Sequence, residues 1–242
     1  MKRIVYLTFY FEPDLCAGSF RNTPLAGTLA RLGANQGVQV DVYTTMPNRY
    51  RSWQQDAPAC EERGNLSIHR IPLPAHQSGM VDQMRAFWAY ERAARRLVGR
   101  AGKPDLVFAS SSRLFTAWLG YRLARKWGVP LYLDIRDIFV ETMEDVLSSG
   151  FIKSMVLPVL RRIEAKTFGY ATHINVVSED FQSYFEKYPD ATYTVFPNGI
   201  DPDFLDYSAQ QNRTKETGSP LVTVYAGNIG QGQGLHRIIP ET

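Results

Sequence analysis

Leu131-Tyr-Leu-Asp-Ile-Arg-Asp-Ile-Phe-Val-Glu141 is the stretch on which the reading of the fold turns. It opens as an aliphatic and aromatic run, the pattern of a strand buried on both faces of a parallel sheet. Asp134, Arg136, Asp137 and Glu141 then follow within eight residues, where the strand should give way to a loop. In open α/β sheets, ligands bind beyond the carboxyl ends of the strands. Charges gathered there are therefore candidates for function. The competing reading is an Arg136–Asp137 or Arg136–Glu141 ion pair that only fastens the loop.

Working outward, apolar runs of strand length recur at residues 4–9, 38–44, 66–71, 105–110, 130–135, 172–177 and 193–196. Helical periodicity separates most of them. One helix starts near Ser19, with Ser19 or Asn22 as its cap and Leu25, Leu29 and Leu32 facing the sheet. Another covers 80–102, with Met84, Phe87, Trp88 and Leu97 on one side. Others are expected over 114–127, stopped by Gly128, and over 151–169, where Pro158 kinks the helix or opens a new one. The last is capped by Ser178 and runs to about Tyr188, while residues 46–65 read as a polar surface excursion. Strands alternating with helices in this way specify an α/β fold, a Rossmann-like, doubly wound parallel sheet of about seven strands.

After the seventh strand come the turn Pro197-Asn198-Gly199 and a polar stretch at 206–219. An eighth strand is expected at 221–226, leading into a glycine-rich run from Gly227 to Gly234. The expected organisation is a domain over 1–200, a linker over 201–220, and at 221–242 the start of a second α/β domain.

The composition narrows the function. A net charge of +3, without zinc-finger, RRM or basic-zipper signatures, argues against a nucleic-acid partner. Cys16 and Cys60 form no disulfide framework and suit a reducing cytosol. The apolar run at the N-terminus ends at Glu12-Pro13, too short for a signal peptide, and no run approaches the roughly 20 residues of a membrane span. A cytoplasmic protein is expected. Two segments, 85–103 and 151–162, mix apolar and basic residues; they read either as sheet-covering helices or as an interface with an anionic membrane surface.

Two loops have the chemistry to hold phosphate. In the loop at 12–21, Gly18 allows close backbone approach, a helix beginning near Ser19 points its positive end at the crevice, and Arg21 offers a bidentate contact. The run from Gly227 to Gly234 lies between a strand and a helix, yet it is neither a Walker A loop nor a G-x-G-x-x-G fingerprint. Asp201-Pro-Asp203 matches a D-x-D metal motif in form, but its proline favours a turn. The four histidines have no ligand spacing, and His173 belongs within a strand. No metal site is expected.

Taken together, these pieces resemble the nucleotide-sugar glycosyltransferases built from two Rossmann-like domains, the GT-B architecture, and within it glycosyltransferase family 4. The resemblance is carried by residues 4–21, Leu133-Asp-Ile-Arg-Asp137 with Glu141, Ser178-Glu179, Phe196-Pro-Asn-Gly-Ile-Asp201 and Tyr225-Ala-Gly-Asn-Ile-Gly230. It is most similar to bacterial enzymes of O-antigen, capsule and colanic-acid synthesis, including N-acetylfucosaminyltransferases. The resemblance implies a retaining hexosyl or N-acetylhexosaminyl transferase that needs no cofactor. A nucleotide-sugar, of the UDP-sugar type, would be the donor and a polyprenyl-linked glycan the acceptor, with the enzyme peripheral at the inner face of the plasma membrane. Asp137, Arg136 and Glu141 would be catalytic. Gly18, Ser19, Arg21, Asn198, Gly199, Gly227, Asn228 and Gly230 would border the donor phosphates. Gln233 departs from the basic residue common before the last glycine of that loop, and the family's E-x7-E pair is expected beyond Thr242. On this reading the chain is largely the acceptor-binding half and inactive alone. The alternative is a non-catalytic Rossmann-like binding or scaffold module.

Overall fold

The computed structural model describes residues 1–48, 55–74, 80–111, 114–147 and 150–200, together with 205, 224–227 and 235. Its strands are β1 (Lys2–Leu7), β2 (Val38–Thr45), β3 (Cys60–Arg63), β4 (Leu66–Ile71), β5 (Leu106–Ser111), β6 (Leu131–Ile135), β7 (His173–Val176) and β8 (Thr192–Val195). The helices are α1 (Ala17–Gly33), α2 (Met80–Ala101), α3 (Leu114–Trp127), α4 (Phe139–Val146), α5 (Gly150–Phe168) and α6 (Gln182–Phe185). The strands form one sheet in the order β3-β4-β2-β1-β5-β6-β7-β8, parallel except for β3. The chain divides into two compact units, Met1–Asn198 and Gly199–Thr242. The whole sheet lies in the first.

β3 is the strand that the sequence pattern hides. Cys60-Glu-Glu-Arg63 is too charged to signal burial, and it pairs antiparallel with β4 through a hairpin of only Gly64 and Asn65. Gly64 has φ +63°, which a side chain would strain, and this turn was the available signal.

Each sheet face has its own core. On one face α1 packs on Tyr6, Val40, Val42, Leu66, Ile68 and Phe108. It does so with small residues and not with the expected leucines. Gly18, Ser19, Asn22, Ala26, Ala30 and Gly33 are buried, Leu25 and Leu29 only flank them, and Leu32 is 60% exposed. Small residues bring the helix axis close to the strands. A Cβ on Gly33 would lie 2.7 Å from the Val38 Cβ. The helix also starts two residues before Ser19, with Cys16 at its N-cap and no side-chain cap, so neither Ser19 nor Asn22 caps it. The opposite face is covered by α2, α3 and α5 around Leu7, Val107, Leu131, Leu133 and Ile174. In α2 the buried stripe is Ala86, Tyr90, Ala94 and Val98, one residue every four. Phe87 and Leu97 flank it, whereas Met84 and Trp88 point outward, against expectation. α5 runs through Pro158 without a break. Ser178 stands at the head of a short 3₁₀ turn without a side-chain cap bond, and α6 ends at Phe185, short of Tyr188.

Four rings stack across neighbouring strands on the α1 face: Tyr6 on Phe108 (4.5 Å), Phe108 on Tyr132 (4.8 Å) and Tyr132 on His173 (4.3 Å). Each pair is directly opposite in register. As expected, His173 belongs to the sheet; its Nε2 meets the Thr194 hydroxyl at 2.9 Å.

Two glycines separate crowding from freedom. A Cβ on Gly120 would lie 2.9 Å from the Ala109 Cβ and 3.1 Å from a Leu131 methyl, whereas one on Gly27 meets nothing within 4 Å. Gly120→Val should lower unfolding stability in urea by about 1–3 kcal/mol through overpacking. Gly27→Ala should raise it by about 0.5–1 kcal/mol, since glycine is a poor helix former.

Burial raises the phenols of Tyr6, Tyr43 and Tyr90 above their ordinary 10.0, Tyr43 to about 12. Tyrosines in the unfolded chain ionise first, so the stability tied to these groups is complete below pH 10 and is lost as pH rises from 10 towards 12 and beyond. Circular dichroism and phenolate absorbance should change together in that range. Ionisation of these three buried phenols before any loss of structure would contradict this coupling.

Candidate functional site at the carboxyl edge of the sheet

Asp134, the last polar residue of β6, is 1% exposed. Its carboxylate accepts four hydrogen bonds. Two come from Arg21, through Nε (2.9 Å) and Nη2 (2.7 Å), one from the Ser110 hydroxyl of β5 (2.8 Å) and one from Asn175 Nδ2 of β7 (2.8 Å). Ser110, Asp134 and Asn175 are opposite one another in register, so the sheet itself aligns the acceptor with its donors. A buried carboxylate needs such saturation, because an unpaired charge there costs several kcal/mol.

Arg21 spends its remaining hydrogens on the end of the domain. Nη1 donates to the Pro197 carbonyl (3.0 Å) and to Asn198 Oδ1 (3.3 Å), and Nη2 also donates to the Phe196 carbonyl (3.0 Å). All five guanidinium hydrogens are thus committed within the protein. This corrects the expectation that Arg21 is a phosphate contact. It is a clamp between α1, β6 and the segment leaving β8, and Asn198 is one of the groups it grips. Asn22, one residue on, accepts from the buried Tyr6 hydroxyl (2.7 Å) and donates to Thr8 Oγ1 (2.7 Å) and the Gly18 carbonyl (2.7 Å). The first turn of α1 is therefore held from both β1 and β6.

Arg136 differs in every respect. It follows β6, with its amide donating to the Ser111 carbonyl (3.1 Å). Its Nε is buried with no hydrogen-bond partner, and among the described residues the side chain forms no ion pair. The Arg136–Asp137 and Arg136–Glu141 pairs of the competing reading are thus not formed. The guanidinium lies instead over Gly18. A Cβ there would sit 3.2 Å from Nη1 and 3.4 Å from Nη2. A partnerless cation thus shares the first turn of α1 with the positive end of the helix dipole, and two like charges of this kind attract an anion.

The remaining expected residues fall around this point. Ser19 is buried in the same helical turn. Asp137 is exposed beside Arg136, and Glu141 is exposed in the first turn of α4, on a helix where a loop was expected. Gly199 and Gly227 belong to the second unit. Asn228 and Gly230 lie outside the described residues, as do Asp201, Asp203, residues 206–220 and residues 221–223 of the expected eighth strand.

One feature of the site had no signal in sequence spacing. Half-buried rings continue from the end of β1 across three helices: Tyr10 to Phe9 (5.1 Å), Phe9 to Phe87 (6.5 Å), Phe87 to Phe115 (5.3 Å) and Phe115 to Phe139 (5.8 Å). Phe9 and Tyr10 follow β1, Phe115 and Phe139 open α3 and α4, and Phe87 lies about two turns into α2; Phe139 is three residues from Arg136 in the chain.

Among known proteins, a model of the glycosyl transferase 4-like domain matches residues 24–199. No curated protein sequence matches. Two solved structures of sucrose-phosphate synthase from Thermosynechococcus elongatus share the fold. One aligns with TM-score 0.54 at 12% identity over 86% of this chain and 95% of that one. The other aligns with TM-score 0.58 at 13% identity over 88% of this chain. This chain spans 53% of the length of the latter. At such identity the likeness concerns the fold alone.

Arg21→Ala would strand the Asp134 carboxylate. It should cost about 3–5 kcal/mol in denaturant unfolding. Arg136→Ala removes no internal partner and should change stability by no more than about 0.5 kcal/mol. Equal costs for the two would contradict the division between clamp and free cation.

Proposed function

Because the chain belongs to the glycosyl transferase 4-like family, we propose that it forms the acceptor-side half of an enzyme that moves a sugar from a nucleotide-sugar, of the UDP-sugar type, to a lipid-linked glycan. The observation that carries this reading is Arg136, a cation without an ion-pair partner among the described residues, set over Gly18 at the head of α1. In transfer from a nucleotide-sugar the bond between the anomeric carbon and a diphosphate oxygen breaks, and negative charge grows on the departing diphosphate. A preorganised cation and a helix N-terminus stabilise that charge. The acceptor hydroxyl forms the new bond and gives up its proton, for which the exposed Asp137, next to Arg136 in the chain, is the candidate base. Glu141 would act from the next helical turn. The row from Tyr10 to Phe139 supports an acceptor with an apolar portion, because half-buried rings beside a charged site offer area for such a group.

The retaining course, the N-acetylhexosaminyl type and the role in surface polysaccharide synthesis rest on the motif resemblance of residues 133–137 and 196–201. Asn198 and Gly199, followed by Gly227, Asn228 and Gly230, would complete the donor side. A lipid-linked acceptor would place the enzyme at a membrane surface.

An enzyme in which this half is joined to a donor-binding half, incubated with nucleotide-sugars and polyprenyl-diphosphate-linked glycans, should release nucleoside diphosphate only when the acceptor is present, whereas these 242 residues alone should release none. Asp137→Asn should lower kcat on the order of 10²-fold. Gly18→Ala pushes Arg136 aside and should raise the donor KM about tenfold, with the circular dichroism spectrum unchanged. Nucleotide binding without any sugar transfer would sink the transferase reading and leave the binding module.

A further inference from the structure

On the outermost hairpin of the sheet a thiol and an imidazole stand side by side. Cys60 opens β3 and is exposed, and His69, directly opposite on β4, is half-buried. Opposite residues of an antiparallel pair project on the same face, so the register itself builds the contact. The Cys60 Sγ lies 3.7 Å from His69 Nδ1. The imidazole is held from its other side. Its ring stacks on Tyr43 at 4.8 Å with 17° between the planes, and Tyr43 is buried in β2 at the next register position. A nucleophile within reach of a base, with a third group orienting that base, is the arrangement that activates a cysteine.

The protonation and the charges around the pair agree with that role. Burial lowers His69 from its ordinary 6.5, and Arg3 lowers it too, against the opposing charges of Asp41 and Glu62. The imidazole is therefore neutral at neutral pH, and Nδ1 accepts the thiol proton in the tautomer that keeps its hydrogen on Nε2. Asp41 of β2 is matched by Arg3 of β1 at 2.9 Å. Glu62, two residues after Cys60 and on the same side of β3, forms no ion pair among the described residues. The field at the thiol is thus net negative, which turns away anionic reactants and admits neutral or cationic ones.

We propose that Cys60 is a thiolation site, with His69 as its base and a neutral or cationic low-molecular-weight disulfide as its reactant. His69 takes the proton of the Cys60 thiol, and the thiolate attacks one sulfur of the disulfide. The disulfide's S–S bond breaks as the mixed disulfide on Cys60 forms, and the departing thiolate takes the proton from His69 and leaves as a thiol. The Cys60 sulfur is oxidised, the departing sulfur is reduced, and free thiol reverses the step. In a reducing compartment such an adduct is transient, as cytosolic disulfides are. The exposed sulfur reacts without any opening of the fold. Five strand spacings, roughly 24 Å, separate β3 from β6, so the inference does not depend on sugar transfer.

The test is the rate at which the chain takes up cystamine, a cationic disulfide, or glutathione disulfide, an anionic one. Mass spectrometry of the digested protein resolves Cys60 from Cys16, over a range of about pH 5.5 to 8.5. At about pH 6.5 Cys60 should react with cystamine roughly tenfold faster than the thiol of an unstructured cysteine peptide. That advantage should fade as pH drops through the lowered His69 value. Cystamine should be preferred to glutathione disulfide, and both high salt and Glu62→Gln should narrow the preference. His69→Gln should slow Cys60 about tenfold with the circular dichroism spectrum unchanged. A Cys60 rate no higher than that of the peptide, a rate unaltered in His69→Gln, or a preference for glutathione disulfide would overturn the proposal. The comparison with the peptide uses the unmutated chain, so it decides the matter even where a variant fails to fold.

Discussion

A carboxylate removed from water must be saturated with donors, and the carboxyl edge of this sheet is arranged around that requirement at Asp134. The two strands that flank β6 and one helix deliver its hydrogen bonds. Because Arg21 reaches it from α1, the head of that helix cannot drift relative to β6. Because the same guanidinium holds the carbonyls of Phe196 and Pro197, the direction in which the chain leaves β8 is tied to the same point. A charge pair of this kind adds little net stability compared with an apolar core, but it tolerates only one geometry. Its value lies in specification.

That specification separates two arginines that composition cannot tell apart. Arg21 has every hydrogen satisfied by the protein. Arg136, a few ångströms from the same helical turn, has a buried Nε with none. Glycine at position 18 makes the second arrangement possible, since any larger residue would occupy the space over which the guanidinium lies. The clamp thus fixes the helix head, whose dipole lies beside Arg136, a cation without an ion-pair partner among the described residues. The aromatic row from Tyr10 to Phe139 forms an apolar border beside it. Charge and apolar surface thus meet at one edge of the sheet.

Strand positions were legible because aliphatic runs between helical periods have few other meanings: the seven strands expected before residue 200 are present, whereas residues 224–226 of the expected eighth are not in a strand. β3 escaped because two glutamates and an arginine imitate a loop, although the Gly64-Asn65 turn marked it. The burial of α1 was misjudged for a physical reason. Leucines suggest a core face by their size, yet close helix-to-sheet contact prefers glycine and alanine, so the packed side was the inconspicuous one. The same bias assigned Met84 and Trp88 inward. At the site, the charged cluster in the strand-to-loop stretch was visible, but not the division of labour within it. Asp134 finds its partner 113 residues earlier in the chain, a distance over which no local pattern operates. The distinction between Arg21 and Arg136 depends on counting donors and acceptors in three dimensions.

The hairpin formed by β3 and β4 has a consequence of another kind. An open parallel sheet ends in a row of unsatisfied amides that can recruit a strand from another molecule. Here that border is a four-residue strand whose side chains include Glu61, Glu62 and Arg63, crosslinked by ion pairs from Arg63 and Arg70 to Glu61. A foreign strand would have to be short, matched in charge, and antiparallel to join it. That border of the sheet is thereby made a poor template for a foreign strand.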